Sequence, residues 1–196
     1  MKGRTARWMS AALLLATSLC AFAESPNLCT EKEDPVFACP LENKKLVSAC
    51  ALVDPTQKSG YGYLVYRYGT KEKIELSFPG KPMDFPRVTS AIELVDDKTA
   101  EDDQLLRFRN GKISYVVYTA SSYKFDLEGV AVFDGYKLLS NIKCQPNSAD
   151  VELQENFMES IGAQLQDKDE ALRFLKPILP DSSVIASQKS SNTAGK

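Results

Sequence analysis

Carboxylates are the side chains of this chain that could do acid–base chemistry, because the sequence holds 26 Asp and Glu residues and no histidine. Without histidine, Ser–His and Cys–His nucleophile pairs and histidine-based metal sites are excluded. A glycosidase-type carboxylate pair or a Ser–Lys dyad remains, although no spacing singles out a pair. The densest acidic cluster, Asp96-Asp97 with Glu101–Asp103, lacks the spacing of a calcium loop. It predicts a solvated acidic connection or, alternatively, a weak site for a cation or a basic partner.

A glycine-containing stretch before a tyrosine-rich strand is the second candidate. Its glycines let the backbone approach another surface closely, but no helix follows it to bind phosphate. The stretch predicts either a turn that leads into a strand or a protruding loop that inserts into a protein partner. Tyrosine offers such a loop a rigid apolar body with a polar tip. The predicted partner-binding residues are Ser59, Gly60, Tyr61 and Tyr63.

An export signal is predicted at residues 1–23. Lys2, Arg4 and Arg7 form its basic region, Ala11–Leu19 its short apolar core, and Ala21-Phe22-Ala23 a cleavage site. Cleavage would leave 196 − 23 = 173 residues with a net charge of 21 − 26 = −5. This charge argues against nucleic acid as a partner and suits a basic one. No later apolar stretch reaches roughly 18 residues, so we expect a periplasmic or secreted protein that does not span a membrane.

Four cysteines follow the predicted cleavage site, namely Cys29, Cys39, Cys50 and Cys144. An even number in an exported chain predicts two disulfides, and the lack of a Cys-x-x-Cys pair or a histidine argues against a metal site. No cofactor is expected. Three connectivities are possible; the short polar turn between Cys39 and Cys50 favours that pair, with Cys29–Cys144 as the other.

Alternating apolar and polar residues predict strand after strand between Val36 and Cys144. The fold expected is mainly β, an antiparallel sandwich or small barrel of about eight strands with a C-terminal helical segment. A disulfide-linked β domain is predicted at 24–145, a helical extension at 146–180 and a disordered tail at 181–196. Within the extension, one helix is predicted at Asp150–Gln166 after an N-cap at Ser148, and a second at Asp167–Leu175.

Two Xaa-Gly pairs predict tight hairpins. Asn110-Gly111 and Asp134-Gly135 both suit type I′ turns, in which both central residues have positive φ. Turns at these pairs would place Phe108 opposite Ile113, and Val132 opposite Lys137.

The strand Gly62–Gly69 and the later runs Leu106–Gly111 and Tyr115–Tyr118 resemble a group of uncharacterised exported β-rich proteins of Gram-negative bacteria. This resemblance covers Phe37–Cys144 and implies a periplasmic β domain. The Ser-Gly-x-x-Tyr arrangement of Ser59, Gly60 and Tyr63 is also similar to that of periplasmic lysozyme inhibitors, which insert such a loop into the lysozyme cleft. That second resemblance implies a basic lysozyme-like enzyme as partner.

The function expected is therefore binding without catalysis in the periplasm, with inhibition of a basic glycan-cleaving enzyme as its sharper form. A carboxylate-dependent hydrolase of envelope glycans and a structural envelope protein that pairs through a tyrosine face are the alternatives.

Overall fold

Two antiparallel sheets and one short helix make up the computed structural model, which describes residues 26–56, 61–80, 89–96, 101–122, 125–151, 164–165 and 168–180. The predicted signal at 1–23 and tail at 181–196 lie outside these ranges. The strands are β1 (Glu33–Pro40), β2 (Leu46–Val53), β3 (Tyr61–Gly69), β4 (Ile74–Phe78), β5 (Thr89–Asp96), β6 (Glu101–Asn110), β7 (Ile113–Ser122), β8 (Phe125–Asp134), β9 (Lys137–Lys143), β10 (Asp150–Val151) and β11 (Gln164–Leu165). The helix is α1 (Lys168–Leu175).

The sheets pack face to face, so the sandwich alternative is the one observed. One sheet has the order β10-β1-β2-β3-β4 and the other β11-β5-β6-β7-β8-β9; only the β11–β5 pair is parallel. Apolar side chains from alternate positions of both sheets fill the space between them. Tyr66 of β3 is part of this core between the sheets, stacked on Tyr115 of β7 with ring centroids 5.1 Å apart.

The six-stranded sheet is buried on its second face as well. Phe174 of α1 packs edge-on against Phe133 of β8, with ring centroids 5.0 Å apart. Leu105, Val116 and Tyr118 share this second core with the helix. The molecule is thus layered sheet on sheet on helix, which explains why the central sheet carries apolar residues on both faces.

Both predicted hairpins exist, but each turn lies one residue further along than expected. Asn110 pairs with Ile113, and Phe108 with Tyr115; Asp134 pairs with Lys137, and Val132 with Ser140 across a bulge. A type I′ turn would need positive φ at both central residues, whereas only Gly111 (φ 61°) and Gly135 (φ 58°) have it. A glycine that opens a two-residue loop with positive φ is what a type II′ turn requires.

The C-terminal prediction is partly wrong. The helix predicted at Asp150–Gln166 would include β10 and β11, which are both strands; residues 152–163 between them lie outside the described ranges. Ser148 is no N-cap, because the chain runs from it into the strand β10; its hydroxyl donates to the Gln145 carbonyl 2.6 Å away. The second predicted helix is confirmed as α1.

The acidic cluster is also not the solvated connection predicted. Asp96 ends β5, and Glu101–Asp103 open β6 in register with it. Asp103 is buried, with only 5% of its surface exposed. Strand pairing therefore continues through acidic residues that composition alone assigned to a loop.

Candidate functional site

The predicted partner-binding residues fall in the connection between β2 and β3 and at the start of β3. Ser59 and Gly60 fall within residues 57–60, outside the described ranges, and Tyr61 opens β3 opposite Val53. The structure describes the two ends of this connection and the side chain of Tyr63.

An aspartate and a glycine fix the base of this connection. Asp54 Oδ1 accepts hydrogen bonds from the Thr56 amide (3.0 Å) and from the Thr56 hydroxyl (2.6 Å). Such an Asx-type turn shapes the chain as it leaves β2. A Cβ atom at Gly62 would lie 3.3 Å from both Asp54 Cβ and Leu52 Cδ2, so the two strand ends approach closely here because Gly62 has no side chain.

Tyr63 points its hydroxyl into the protein. The hydroxyl donates to Glu33 Oε1 at 3.0 Å. Burial and this hydrogen bond raise the pKa of Tyr63, so the phenol stays protonated as a donor. Among the predicted contact residues, Tyr63 therefore anchors the connection to the first strand.

Glu33 is the centre of a polar cluster that we call the clamp, formed by Leu28, Thr30, Glu33, Tyr63 and Arg67. Arg67 approaches Glu33 with both terminal nitrogens, Nη1 to Oε2 at 2.5 Å and Nη2 to Oε1 at 2.8 Å. The Thr30 amide donates to Oε2 at 2.8 Å. The Glu33 side chain is fully buried and that of Arg67 is 12% exposed. Such a planar, two-bond arginine–carboxylate pair fixes geometry as well as charge.

The pKa of Glu33 shows that the clamp holds a charged carboxylate. Burial alone would raise this pKa, but the hydrogen bonds from Arg67 and Thr30 and the attraction of the Arg67 charge outweigh burial and lower it from 4.5 to about 2. A buried charge is tolerated only when it is paired and hydrogen-bonded, as here.

The clamp and a disulfide attach an N-terminal arm, residues 26–32, to the outer face of the five-stranded sheet. The Leu28 amide donates to Ser48 Oγ at 2.9 Å, and Arg67 Nη1 donates to the Leu28 carbonyl at 3.1 Å. Leu28 itself is buried. Cys29 is bonded to Cys50 of β2 beside these contacts.

Two disulfides are confirmed, but the favoured pairing is wrong. The bonds are Cys29–Cys50 and Cys39–Cys144. Cys39 and Cys50 lie on opposite faces of the five-stranded sheet, since Cys39 faces the inter-sheet core and Cys50 the arm. A short separation in sequence therefore could not bring them together.

Sequence reasoning missed Glu33 and Arg67 as a pair because 34 residues separate them. One signal was present. Arg67 interrupts a run of tyrosines and aliphatic residues within a strand, and a cation at such a position needs a buried anion.

A cleft of about 250 Å³ lies at the far end of β1, where the two sheets meet beside Cys144. Glu42, Asp126, Glu128 and Lys143 line it. Burial and the neighbouring Asp126 charge raise the pKa of Glu128. Two carboxyl groups in one cleft are the kind of pair that glycoside hydrolysis uses, one as acid and the other as base or nucleophile.

Among the residues that the structure describes, no group of three or more metal-ligating side chains is suited to hold an ion. Likewise, none of the described helices has the length and apolar character needed to cross a membrane.

Comparison with known proteins adds no family: the chain matches no protein-family model, no curated protein and no solved structure.

Proposed function

We propose that this protein is an exported binding domain that inhibits a basic glycan-cleaving enzyme, such as a lysozyme, through Ser59, Gly60 and Tyr61. The observation that carries the proposal is that both described ends of the β2–β3 connection are held by hydrogen bonds, Thr56 to Asp54 on one side and Tyr63 to Glu33 on the other. A loop whose ends are already fixed loses less conformational entropy when it enters a cleft. Two disulfides indicate an oxidising compartment, in agreement with cleavage near Ala23 and a periplasmic or secreted location.

Tyr63 has a different part in this proposal from the one that its spacing suggested. Its hydroxyl already donates to Glu33. It holds β3 to β1 near the start of β3, while Ser59, Gly60 and Tyr61 meet the enzyme. The charge of −5 expected after cleavage favours encounter with a basic enzyme and makes association sensitive to salt.

The test is to express the full sequence, recover the processed protein and mix it with several lysozymes, measuring cell-wall hydrolysis and complex formation. Ser59→Arg places bulk and a positive charge in the loop and should abolish inhibition. Ser77→Arg, at an exposed serine of β4, adds the same side chain elsewhere and should leave inhibition intact. A wild-type protein that neither inhibits nor binds at micromolar concentration would refute the proposal.

A second candidate function, a carboxylate-dependent hydrolase of envelope glycans, is favoured by Asp126 and Glu128 in the cleft. Glu128, whose pKa is raised, would be the general acid and Asp126 the second carboxyl group of the pair. Wild-type protein should then release reducing ends from peptidoglycan or other envelope glycans. Glu128→Gln should remove this activity, whereas Glu72→Gln, at an exposed carboxylate outside the cleft, should not. No release above a no-protein blank would exclude this candidate.

A further inference from the structure

We infer that one corner of the molecule binds the surface of an anionic lipid bilayer, whose phosphate headgroups are its ligand. This corner lies where α1 reaches the hairpin turns of the six-stranded sheet. We call it the basic corner and define it by Arg109, Lys112, Tyr136, Arg173 and Lys176. Its role is to hold the exported domain beside a membrane, which is separate from enzyme inhibition and goes beyond the proposed function.

The two hairpin turns lie side by side at one end of the sheet, next to the helix. The Gly135 amide of one turn donates to the Lys112 carbonyl of the other at 2.8 Å. Arg109 lies two positions after Arg107 on β6, and residues two apart on a strand share a face. That face is the one that α1 covers, because the Arg107 guanidinium lies 4.4 Å from the centre of the Phe174 ring. The turns and Arg109 therefore border the helix.

An exposed aromatic ring stands within the corner and is already held in place. Tyr136 is 46% exposed, its ring lies 5.3 Å from that of Phe174, and the Arg173 guanidinium lies 5.0 Å from its centre. The Lys176 amide donates to the Leu172 carbonyl at 3.0 Å, so the helical turn continues and places Lys176 beside Arg173. A ring fixed in this way loses little conformational freedom on contact with another surface.

The basic corner is locally positive in a chain that is acidic overall. The described charged side chains around it are six cations and three acids, a net charge of 6 − 3 = +3, namely Arg107, Arg109, Lys112, Lys137, Arg173 and Lys176 with Asp134, Asp169 and Glu170. Each acid has a cation of this set as its neighbour, in the pairs Arg107–Glu170, Lys137–Asp134 and Arg173–Asp169. The three cations left over are Arg109, Lys112 and Lys176, which are all exposed. None of these three forms an ion pair within the part of the chain that the structure describes.

Charges on neighbouring segments do not cancel this excess. Residues 81–88, 152–168 and 181–196 border the described ranges, and their sequences hold five cations and six acids. Even if all of these lay at the corner, their net charge of 5 − 6 = −1 would leave it positive. Charges of the five-stranded sheet lie across the roughly 10 Å between the sheets, which exceeds the Debye length of about 8 Å.

Exposed apolar side chains coincide with these cations. Four large apolar side chains are exposed among the described residues, and two of them, Tyr136 and Leu139, lie three residues apart. Leu139 is 53% exposed, since a bulge in β9 takes it out of the pairing between Leu138 and Phe133 on one side and that of Ser140 on the other. Tyrosine and leucine among cations are the side chains that bind the interface of an anionic bilayer.

The spread of the cations favours a bilayer over a single small anion. They lie on a strand end, a turn and a helix end, whereas a small anion is held by several donors that converge on it. A bilayer offers negative charges dispersed over a plane, and each nearby Lys or Arg strengthens binding about fivefold. Three such cations give a reversible, salt-sensitive attachment.

The experiment measures binding of the processed protein to lipid vesicles by flotation. Vesicles that contain phosphatidylglycerol should bind the protein, and vesicles of phosphatidylcholine alone should not. About 1 M salt should release it, because the Debye length falls to about 3 Å. Arg109→Gln with Lys112→Gln and Lys176→Gln should weaken binding at least about tenfold.

Matched controls separate the corner from the charge and hydrophobicity of the whole chain. Lys44→Gln with Lys71→Gln and Lys73→Gln removes three exposed cations from turns of the other sheet, and should change binding less than about twofold. Leu139→Ser should weaken binding about threefold with no change of charge. Ile74→Ser, at a 47% exposed side chain of β4, should leave binding unchanged.

Three results would overturn the assignment. One is equal binding of the wild type to both kinds of vesicle, or to neither. Another is equal binding by the corner and control variants, with circular dichroism showing that all of them are folded. The third is release from the vesicles by millimolar free glycerol phosphate, which would indicate a site for one phosphate group instead of a membrane surface. Lysozyme inhibition is measured separately, and its presence or absence does not alter these outcomes.

Discussion

The outer faces of the two sheets are covered in opposite ways. Arm residues cover one face through a disulfide and a buried ion pair, Glu33–Arg67. Helix α1 covers the other through Phe174 and its apolar neighbours. In each case an arginine of the sheet forms an ion pair. Arg67 pairs with Glu33, whose side chain is fully buried, whereas Arg107 pairs with Glu170, whose side chain is 39% exposed.

The difference shows that a segment without secondary structure is attached to its sheet by other kinds of contact than those that attach a helix. An eight-residue helix presents several apolar side chains on one side and gains stability from their burial. The described arm buries one leucine, so the disulfide and the ion pair must provide the stability that apolar packing provides for the helix. Stability of the arm should therefore depend on redox state and pH, and stability of the helix on side-chain volume.

The largest expected effect is on the helical side. Phe174→Ala removes a fully buried ring that packs on Phe133 and lies 4.4 Å beneath the Arg107 guanidinium. We expect a loss of about 4 kcal/mol in the free energy of unfolding, measured by urea denaturation. Tyr136→Ala, at a 46% exposed ring that also contacts Phe174, should cost clearly less. Equal losses would mean that the helix is not held by burial.

Breaking the clamp should lower the free energy of unfolding by about 3 kcal/mol. Glu33→Gln leaves the Arg67 guanidinium without its buried anion, so the folded state loses the pair and keeps the cost of burying the cation. Urea denaturation measures the loss, and amide exchange of residues 28–30 should accelerate in the same variant. A variant as stable as wild type would show that the covalent bond alone holds the arm.

Acid should reproduce this effect in the wild type. Because folding lowers the pKa of Glu33 from 4.5 to about 2, its stabilisation is complete above the unfolded pKa and is lost as the pH falls from about 4.5 through 2. The full shift corresponds to about 3 kcal/mol. The difference in stability between wild type and Glu33→Gln should shrink over this range. A constant difference would place the pKa of Glu33 near its ordinary value.

The smallest effect is expected at the second ion pair. Glu170→Gln should cost less than about 1 kcal/mol, because water already solvates its carboxylate and Arg107 keeps its bond to Ser114 Oγ at 2.9 Å. Thermal denaturation of this variant beside Glu33→Gln tests the ranking directly. Comparable losses would contradict the assignment of the two pairs to different environments.

The sequence predicted local features well because short-range rules govern them. The strand-like pattern between Val36 and Cys144 predicted the series of strands found there, and glycines located both hairpins. The one-residue error in each turn came from assigning positive φ to Asn110 and Asp134, which the sheet retains in its strands. Distinguishing the two turn types requires the strand register, which turn residues alone do not determine.

Long-range partners could not be predicted in the same way. Pairing of Cys29 with Cys50 follows from the arm crossing the outer face, and that path depends on Glu33 meeting Arg67. Apolar spacing after Asp150 favoured a helix, yet β10 pairs with β1 at that point. In each case a contact distant in sequence outweighed the local preference.

The two disulfides interleave along the chain, and this order has a consequence for biosynthesis. Synthesis proceeds from the N-terminus, so Cys29, Cys39 and Cys50 are all made long before Cys144, which lies 105 residues after its partner Cys39. Oxidation in order of appearance would join Cys29 to Cys39 and then Cys50 to Cys144, and both bonds would be non-native. Correct maturation requires Cys39 to remain reduced, or to be released by thiol–disulfide exchange, until the last cysteine arrives. The yield of native protein should accordingly depend on an oxidoreductase that rearranges disulfides as well as one that forms them.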